Sequence, residues 1–205
     1  DENKKNTAVG GYAGDAIEGG TANTYLGYLS GSASVDTSNN VALGHMAYTK
    51  GTGTQNTVIG SKAGSSNEGV GTALSGQDNV LVGFAAGKTL TEGDGNVLIG
   101  RDAGENMTTG DYNVAIGYNA ADSMVGNSDY NIAIGGNALA GEESGADGCV
   151  AIGYNALLTQ DDASAKNIAI GQAAGKLITS GTRNVLVGHE AGSTIAGDNN
   201  NTALG

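Results

Sequence analysis

Residues 113–121 read NVAIGYNAA, and this string recurs with few changes along the whole chain. An opening Asn, three apolar residues and a Gly appear as NTAVG at Asn6, NTYLG at Asn23, NVALG at Asn40, NTVIG at Asn56, NVLVG at Asn79 and NVLIG at Asn96. Beyond Asn113 they return as NIAIG at Asn131, CVAIG at Cys149, NIAIG at Asn167, NVLVG at Asn184 and NTALG at Asn201. Successive units begin 16 to 18 residues apart except between Asn56 and Asn79. Self-similarity at such a period marks a solenoid, in which each coil stacks on its neighbours. Within a unit, Val114 and Ile116 share one face of a short strand and Ala115 the other, because side chains alternate along a strand. Both faces are apolar in the repeat: the first position is Thr, Val or Ile, the middle one Ala, Leu, Val or Tyr25, the third Val, Leu or Ile. A strand apolar on both sides is buried on both sides. A charge at Ile116 is therefore expected to collapse the fold, and one at Ala115 to disturb coil packing or assembly.

The remaining fixed positions read as turn and packing residues. A Gly closes every strand, which suits positive φ or a place where another backbone passes too closely for a Cβ. The opening Asn suits a turn, and its recurrence would stack amides into a ladder along the rod. Three residues past each Gly stands Ala, replaced by Ser only at Ser30, so a corner there is tightly packed. Each unit is expected to form one coil with a strong strand, a weaker second strand and two turns. Twelve such coils at about 4.8 Å each make an all-β rod on the order of 55 Å long, a parallel β-solenoid forming one domain over residues 1–205.

Composition fits a thin, repeated core. The 205 residues include 37 Gly, one Phe and neither Trp nor Pro, too little bulk for one large core, while the recurring Ile, Leu and Val argue against disorder and against collagen. A net charge of −12 with 9 Lys and Arg opposes wrapping a phosphate backbone, so nucleic acid is not an expected partner. No apolar run reaches the roughly 20 residues that span a bilayer, so no membrane insertion by this segment is expected. Cys149, the only cysteine, stands where other units have Asn; it reads as a small buried residue that Asn could replace with little loss.

The units resemble two groups of repeats, and the likeness covers nearly the whole chain. NVAIGYNAA at Asn113 and NVLVGHEAG at Asn184 are similar to repeats in phage tail fibres that end in a chaperone domain, and more distantly to the heads of trimeric autotransporter adhesins. The adhesin pattern has a further residue between Asn and Val that these units lack. The resemblance implies a left-handed parallel β-roll in which three chains pack around a common axis, so that two more copies cover the second apolar face. It further implies an extracellular segment of a larger fibre, on a cell surface or a virion, that attaches to a surface or carries a binding tip.

Candidate binding residues lie where the repeat leaves freedom. The position after each closing Gly carries Tyr28, His45, Phe84, Arg101, Tyr118, Tyr154, Gln172 and His189, interspersed with Gly11, Ser61 and Gly136. Facing outward, they would form a stripe suited to stacking on a glycan or inserting into a protein receptor. The return segment SSNEGVGTALSGQD, residues 65–78, is about six residues longer than the others and is expected to bulge as a loop. Asp94, Asp111, Asp129 and Asp147 each stand two residues before the next unit. Carboxylates stacked about 5 Å apart repel unless solvated or bridged, which makes these four candidates for calcium. The sequence has neither a GGxGxD repeat nor an EF-hand loop, so a solvated turn ladder is the expectation.

Catalysis has little support. His45 and His189 occupy equivalent places in coils three and eleven, about 40 Å apart along one chain. The sequence contains no nucleophile elbow, HExxH or CxxC motif, so no enzyme activity and no cofactor are expected. Two alternatives to an attachment fibre are another structural filament and an ice-binding solenoid. The latter needs a regular Thr array, whereas Thr opens the strand only at Thr7, Thr24, Thr57 and Thr202.

Overall fold

A computed structural model describes residues 4–65, 73–141, 145–162 and 165–205. Twelve three-residue strands, from β1 (Thr7–Val9) and β2 (Thr24–Leu26) to β12 (Thr202–Leu204), form one parallel sheet in strict sequence order. Each strand pairs in register with the next, so that β7 (Val114–Ile116) sets Val114 opposite Ile132, Ala115 opposite Ala133 and Ile116 opposite Ile134 of β8 (Ile132–Ile134). The fold is a parallel β-solenoid with one strand per coil. The weaker second strand expected from the sequence does not form among the described residues. The return side is built from turns whose N–H groups still reach the neighbouring coil, as in Thr89 to Glu105 and Thr91 to Thr108.

Burial assigns the two strand faces, and it reverses one expectation. The middle residue points into the coil: Ala42, Val58, Leu81, Leu98, Ala115 and Leu186 have no exposed surface. The first and third residues face outward and are partly or wholly exposed, including Ile116. Ala115, and not Ile116, is therefore the interior position.

Inside the rod, bulk missing at one interior position is supplied from another. Most coils place a long apolar residue eleven residues past the Asn: Leu90, Met107, Met124 and Ile178 are all fully buried. Where that later position is Ser34, the strand supplies Tyr25, whose hydroxyl lies 3.1 Å from Thr37 Oγ1. Where it is Gly51, Tyr48 fills the space and donates to the Gly53 carbonyl at 2.7 Å; a Cβ on Gly51 would lie 2.2 Å from the Tyr48 ring. Interiors packed to near-crystalline density accept such exchanges only when the volumes match.

The closing Gly is required for both reasons foreseen. Gly117 has φ +137, and a Cβ there would lie 2.7 Å from the carbonyl of Gly135, the equivalent residue one coil on. Just past it the backbone is left-handed at non-glycine residues such as Leu29, Asn119 and Asn155, a conformation that costs about 1 kcal/mol each. The stack holds them in place, since the N–H of Leu29 reaches Gly11 O at 2.9 Å and that of Asn119 reaches Arg101 O at 3.1 Å.

The opening Asn side chains are buried and form a continuous ladder. Asn113 donates from Nδ2 to Asn96 Oδ1 at 3.1 Å and to Ser128 O at 2.6 Å. Its Oδ1 accepts from the backbone N–H and the Nδ2 of Asn131, at 2.8 and 3.1 Å. Both donors and both lone pairs of the amide are thus used, which is what a buried amide needs to be tolerated. At Cys149 the backbone N–H still donates to Asn131 Oδ1 at 2.8 Å, but a thiol offers the next coil no carbonyl oxygen. Gln160 provides one. It is fully buried and stands eleven residues past Cys149, where most other coils place Leu, Met or Ile. Its Oε1 accepts from Asn167 Nδ2 at 2.5 Å, and its Nε2 donates to Thr179 O at 3.0 Å. Cys149 and Gln160 are a matched pair, so the expectation that Asn alone could replace Cys149 at little cost is revised.

Two outcomes follow from this interior. Ala115→Asp should abolish the cooperative thermal transition followed by circular dichroism, because an unpaired buried charge costs about 3 kcal/mol or more. Ile116→Asp should leave the β-spectrum of the coil intact. For the ladder, Cys149→Asn should lower stability by about 1–2 kcal/mol through crowding against Gln160, and Cys149→Asn with Gln160→Met should recover it in a double-mutant cycle. Equal stability of the single and double variants would separate the two residues.

Candidate binding surface

As each strand ends, the chain turns through the stacked Gly and brings the next residue to the surface. Tyr28, Phe84, Tyr118 and Tyr154 expose 47% to 55% of their area, and His45, Arg101, Gln172 and His189 are exposed beside them. The stripe read from the sequence is therefore an outward column, and neighbours one coil apart touch. Tyr28 stacks on His45 with centroids 5.6 Å apart and planes at 15°, while Tyr12 meets Tyr28 edge-on at 6.1 Å. The Arg101 guanidinium lies between the rings of Phe84 and Tyr118, at 5.6 and 5.9 Å from their centroids. Its Nε donates to Asp102 Oδ2 at 2.9 Å. A cation between two aromatic faces is held in place at modest gain, about 0.5–1 kcal/mol per exposed contact. Its outer edge faces solvent with donors arranged for oxygen acceptors. Ser61 and Gly136 interrupt the column, dividing it into separate clusters.

The acidic column has a structural occupation. Asp94 Oδ1 accepts from the Gln77 N–H at 2.7 Å, Asp111 Oδ1 from Asp94 at 2.8 Å, Asp129 Oδ1 from Asp111 at 2.8 Å and Asp147 Oδ1 from Asp129 at 2.9 Å. Each carboxylate thus caps the backbone of the coil before it. Thr21 to Ser38 and Thr182 to Asn199 repeat the arrangement with neutral side chains, so the position selects an oxygen acceptor and not a charge. Among the described residues no three His, Cys, Asp or Glu are grouped to hold a metal ion. Half of the long return segment, residues 66–72, lies outside the described residues; its end rejoins the rod through Leu74, which is fully buried.

A second aromatic column was missed in the sequence. Tyr112 and Tyr130, each directly ahead of a ladder Asn, expose 56% and 64% of their area and stack with centroids 5.6 Å apart and planes at 10°. The signal was the repeated DYN at residues 111–113 and 129–131, overshadowed by the more regular positions around it. The apolar outer face of the sheet runs between this column and the stripe beyond the Gly.

The chain matches no family model, no curated protein and no solved structure.

Charge on the return side is unevenly matched. Lys88, Glu105 and Asp122 occupy the same place in three successive coils, and Lys88 pairs with Glu105 at 2.8 Å. Asp122 receives a long contact from Asn106 Nδ2 at 3.4 Å. Partial burial first, then the charges of Glu105 and Asp102, push its carboxyl up to about 6. A carboxyl raised in the folded state binds its proton more tightly there than in the unfolded chain. It therefore favours the fold at low pH and loses that contribution as pH rises from about 4 through about 6. Asp122→Asn should raise the melting temperature at pH 7 by a few degrees, with the difference from the parent chain vanishing below pH 4. A difference independent of pH would assign the effect to packing.

Proposed function

We propose that this chain is a segment of a homotrimeric attachment fibre, extracellular, on a cell surface or a virion, that binds a surface glycan or protein receptor or carries a tip that does. The observation that supports this reading is the outer face of the sheet. Val, Ile, Leu and some Thr cover it through all twelve coils, and in a single chain it is open to water, with Val9 at 56%, Leu26 at 47% and Ile170 at 38% exposure. At about 4.8 Å per coil and about 10 Å of strand, this is on the order of 500 Å² of flat apolar sheet. That lies at the upper end of what monomers leave uncovered. A repeat that keeps both strand faces apolar is selected for contact on both, and a straight face of identical columns suits other copies of itself. The resemblance of NVAIGYNAA and NVLVGHEAG to trimeric fibre repeats supports the same reading.

Recognition in this reading uses the stripe from Tyr28 to His189. The strand, Gly, Ala and Asn positions are occupied by packing, and the stripe varies without unfolding the rod. Weak contacts repeated on three chains and many fibres add up to firm attachment. Sedimentation at micromolar concentration should give a trimer for the parent chain. Ile116→Asp with Ile134→Asp should give a folded monomer. A folded, monodisperse monomer of the parent chain would overturn the trimer. In cell-attachment assays, Tyr118→Ser with Tyr154→Ser should weaken binding; undiminished attachment would make this part of the rod a spacer.

A further inference from the structure

The column ahead of the ladder Asn contains an opening that packing does not explain. Its residues are left-handed, with φ of +55 at Tyr112, +59 at Tyr130, +65 at Gly95 and Gly148, and +47 at Lys166. At Gly95 the absence of a side chain has a cause, since a Cβ would lie 2.6 Å from the Tyr112 ring. Tyr112 lies over Gly95 and Tyr130 stacks on Tyr112. Gly148 is different. A Cβ there would meet only Lys166 Cγ, at 3.8 Å, an ordinary contact, and tyrosines already hold the same backbone conformation in the two preceding coils. Gly148 is exposed, and so is Lys166.

One face of the Tyr130 ring is covered by Tyr112, and the next two places along the column belong to Gly148 and Lys166. Two coils separate Tyr130 from Lys166, about 10 Å at the usual strand spacing. A ring in van der Waals contact on both sides needs about 4 Å on each. We propose that Tyr130, Gly148 and Lys166 form a slot that takes a pyranose ring of a neutral glycan. The C–H face of the sugar lies on Tyr130, above the Gly148 backbone, with the Lys166 stem on its other side. A sugar suits this slot better than an aromatic side chain because its rim is polar. The Asp147 carboxylate adjoins Gly148 and gives one oxygen to the Asp129 N–H, which leaves its other oxygen to accept from a hydroxyl. The Lys166 ammonium donates to hydroxyl or ring oxygens. With a net charge of −12 on the chain, a neutral saccharide is favoured over a uronic or sialic acid. The slot shares the attachment reading above but uses a different column from the stripe.

The test uses the full chain with chitotetraose and cellotetraose as probes, in saturation-transfer NMR and titration. Binding in the millimolar range is expected for at least one of them. Tyr130→Ala should weaken it about tenfold. Gly148→Tyr, which fills the slot with a residue the column already accepts, should abolish it while the cooperative unfolding transition and sedimentation are retained, the melting temperature falling by no more than a few degrees for a side chain now held at positive φ. Tyr118→Ser should leave it intact. Failure of the parent chain to bind either probe, or equal binding by the Gly148→Tyr variant, would overturn the slot. So would a change of oligomeric state in Tyr130→Ala, which would place the tyrosine pair in a subunit contact. Sedimentation read in parallel separates the two proposals: a trimer that binds neither saccharide removes the slot alone, and a monodisperse monomer that binds saccharide removes the fibre reading alone.

Discussion

The buried amide ladder is the constraint on which the rest of the rod depends. A solenoid of short coils has no large core in which to hide backbone, and at the strand entrance the chain turns inward with carbonyls exposed to the interior. The Asn side chain meets both needs at once. It donates to the carbonyl that ends its own coil and links to the amides above and below, as Asn113 does with Ser128, Asn96 and Asn131. Aspartate in this position would stack like charges with no donor to offer, and leucine would leave the turn carbonyls unsatisfied inside the rod. Because every amide holds the next coil in register, the three-residue strands pair without slipping even though each is too short to specify its own register. The single departure at Cys149 shows the same requirement, because the missing oxygen is replaced from another position by Gln160.

Register in turn explains why so much strained backbone persists. Left-handed residues such as Leu29, Asn119 and Asn155 would each cost free energy in an isolated turn. In the stack, their N–H groups point along the axis to carbonyls of the adjacent coil, so the conformation is over-determined by hydrogen bonds repeated from coil to coil. The closing glycines stack at a distance that excludes any side chain. This geometry makes the coil spacing rigid and leaves sequence variation to surface columns and to the length of the return segment.

Much of this was legible in the sequence. The period, the parallel strands, the Asn ladder, the closing Gly and the small residue at the corner all follow from positions repeated often enough for one physical cause to be assigned to each. The assignment of strand faces was not legible, because Ala, Val and Ile at alternating positions are all apolar and a three-residue strand gives no polar side to orient it. Among the described residues no second strand forms, because the return segments vary in length and inter-coil bonding there needs only turns. The partnership of Cys149 with Gln160 links residues eleven apart through the core and is visible only when the two are seen together. Of the surface features, the stripe beyond the Gly was found because it follows an invariant landmark. Tyr112 and Tyr130 were not, because their column is otherwise mixed.

A rod built this way imposes its spacing on anything it binds. Side chains in one column recur at about one strand separation, close enough for Tyr28 to stack on His45 and for Arg101 to fill the space between Phe84 and Tyr118. A full column of rings therefore covers its own faces and leaves only edges to solvent. A ring face becomes available to a ligand where the column is interrupted by a residue with no side chain, and the interruption must not be claimed by a neighbour leaning over it. Gly11 and Gly136 are overlain by Tyr28 and Tyr154, whose ring atoms lie 3.3 Å from where a Cβ would stand, and Gly95 is overlain by Tyr112. A Cβ on Gly148 would meet only the flexible Lys166 stem. On a surface made of repeated columns, binding capacity is set less by which aromatic residues are present than by where the repeat leaves one out.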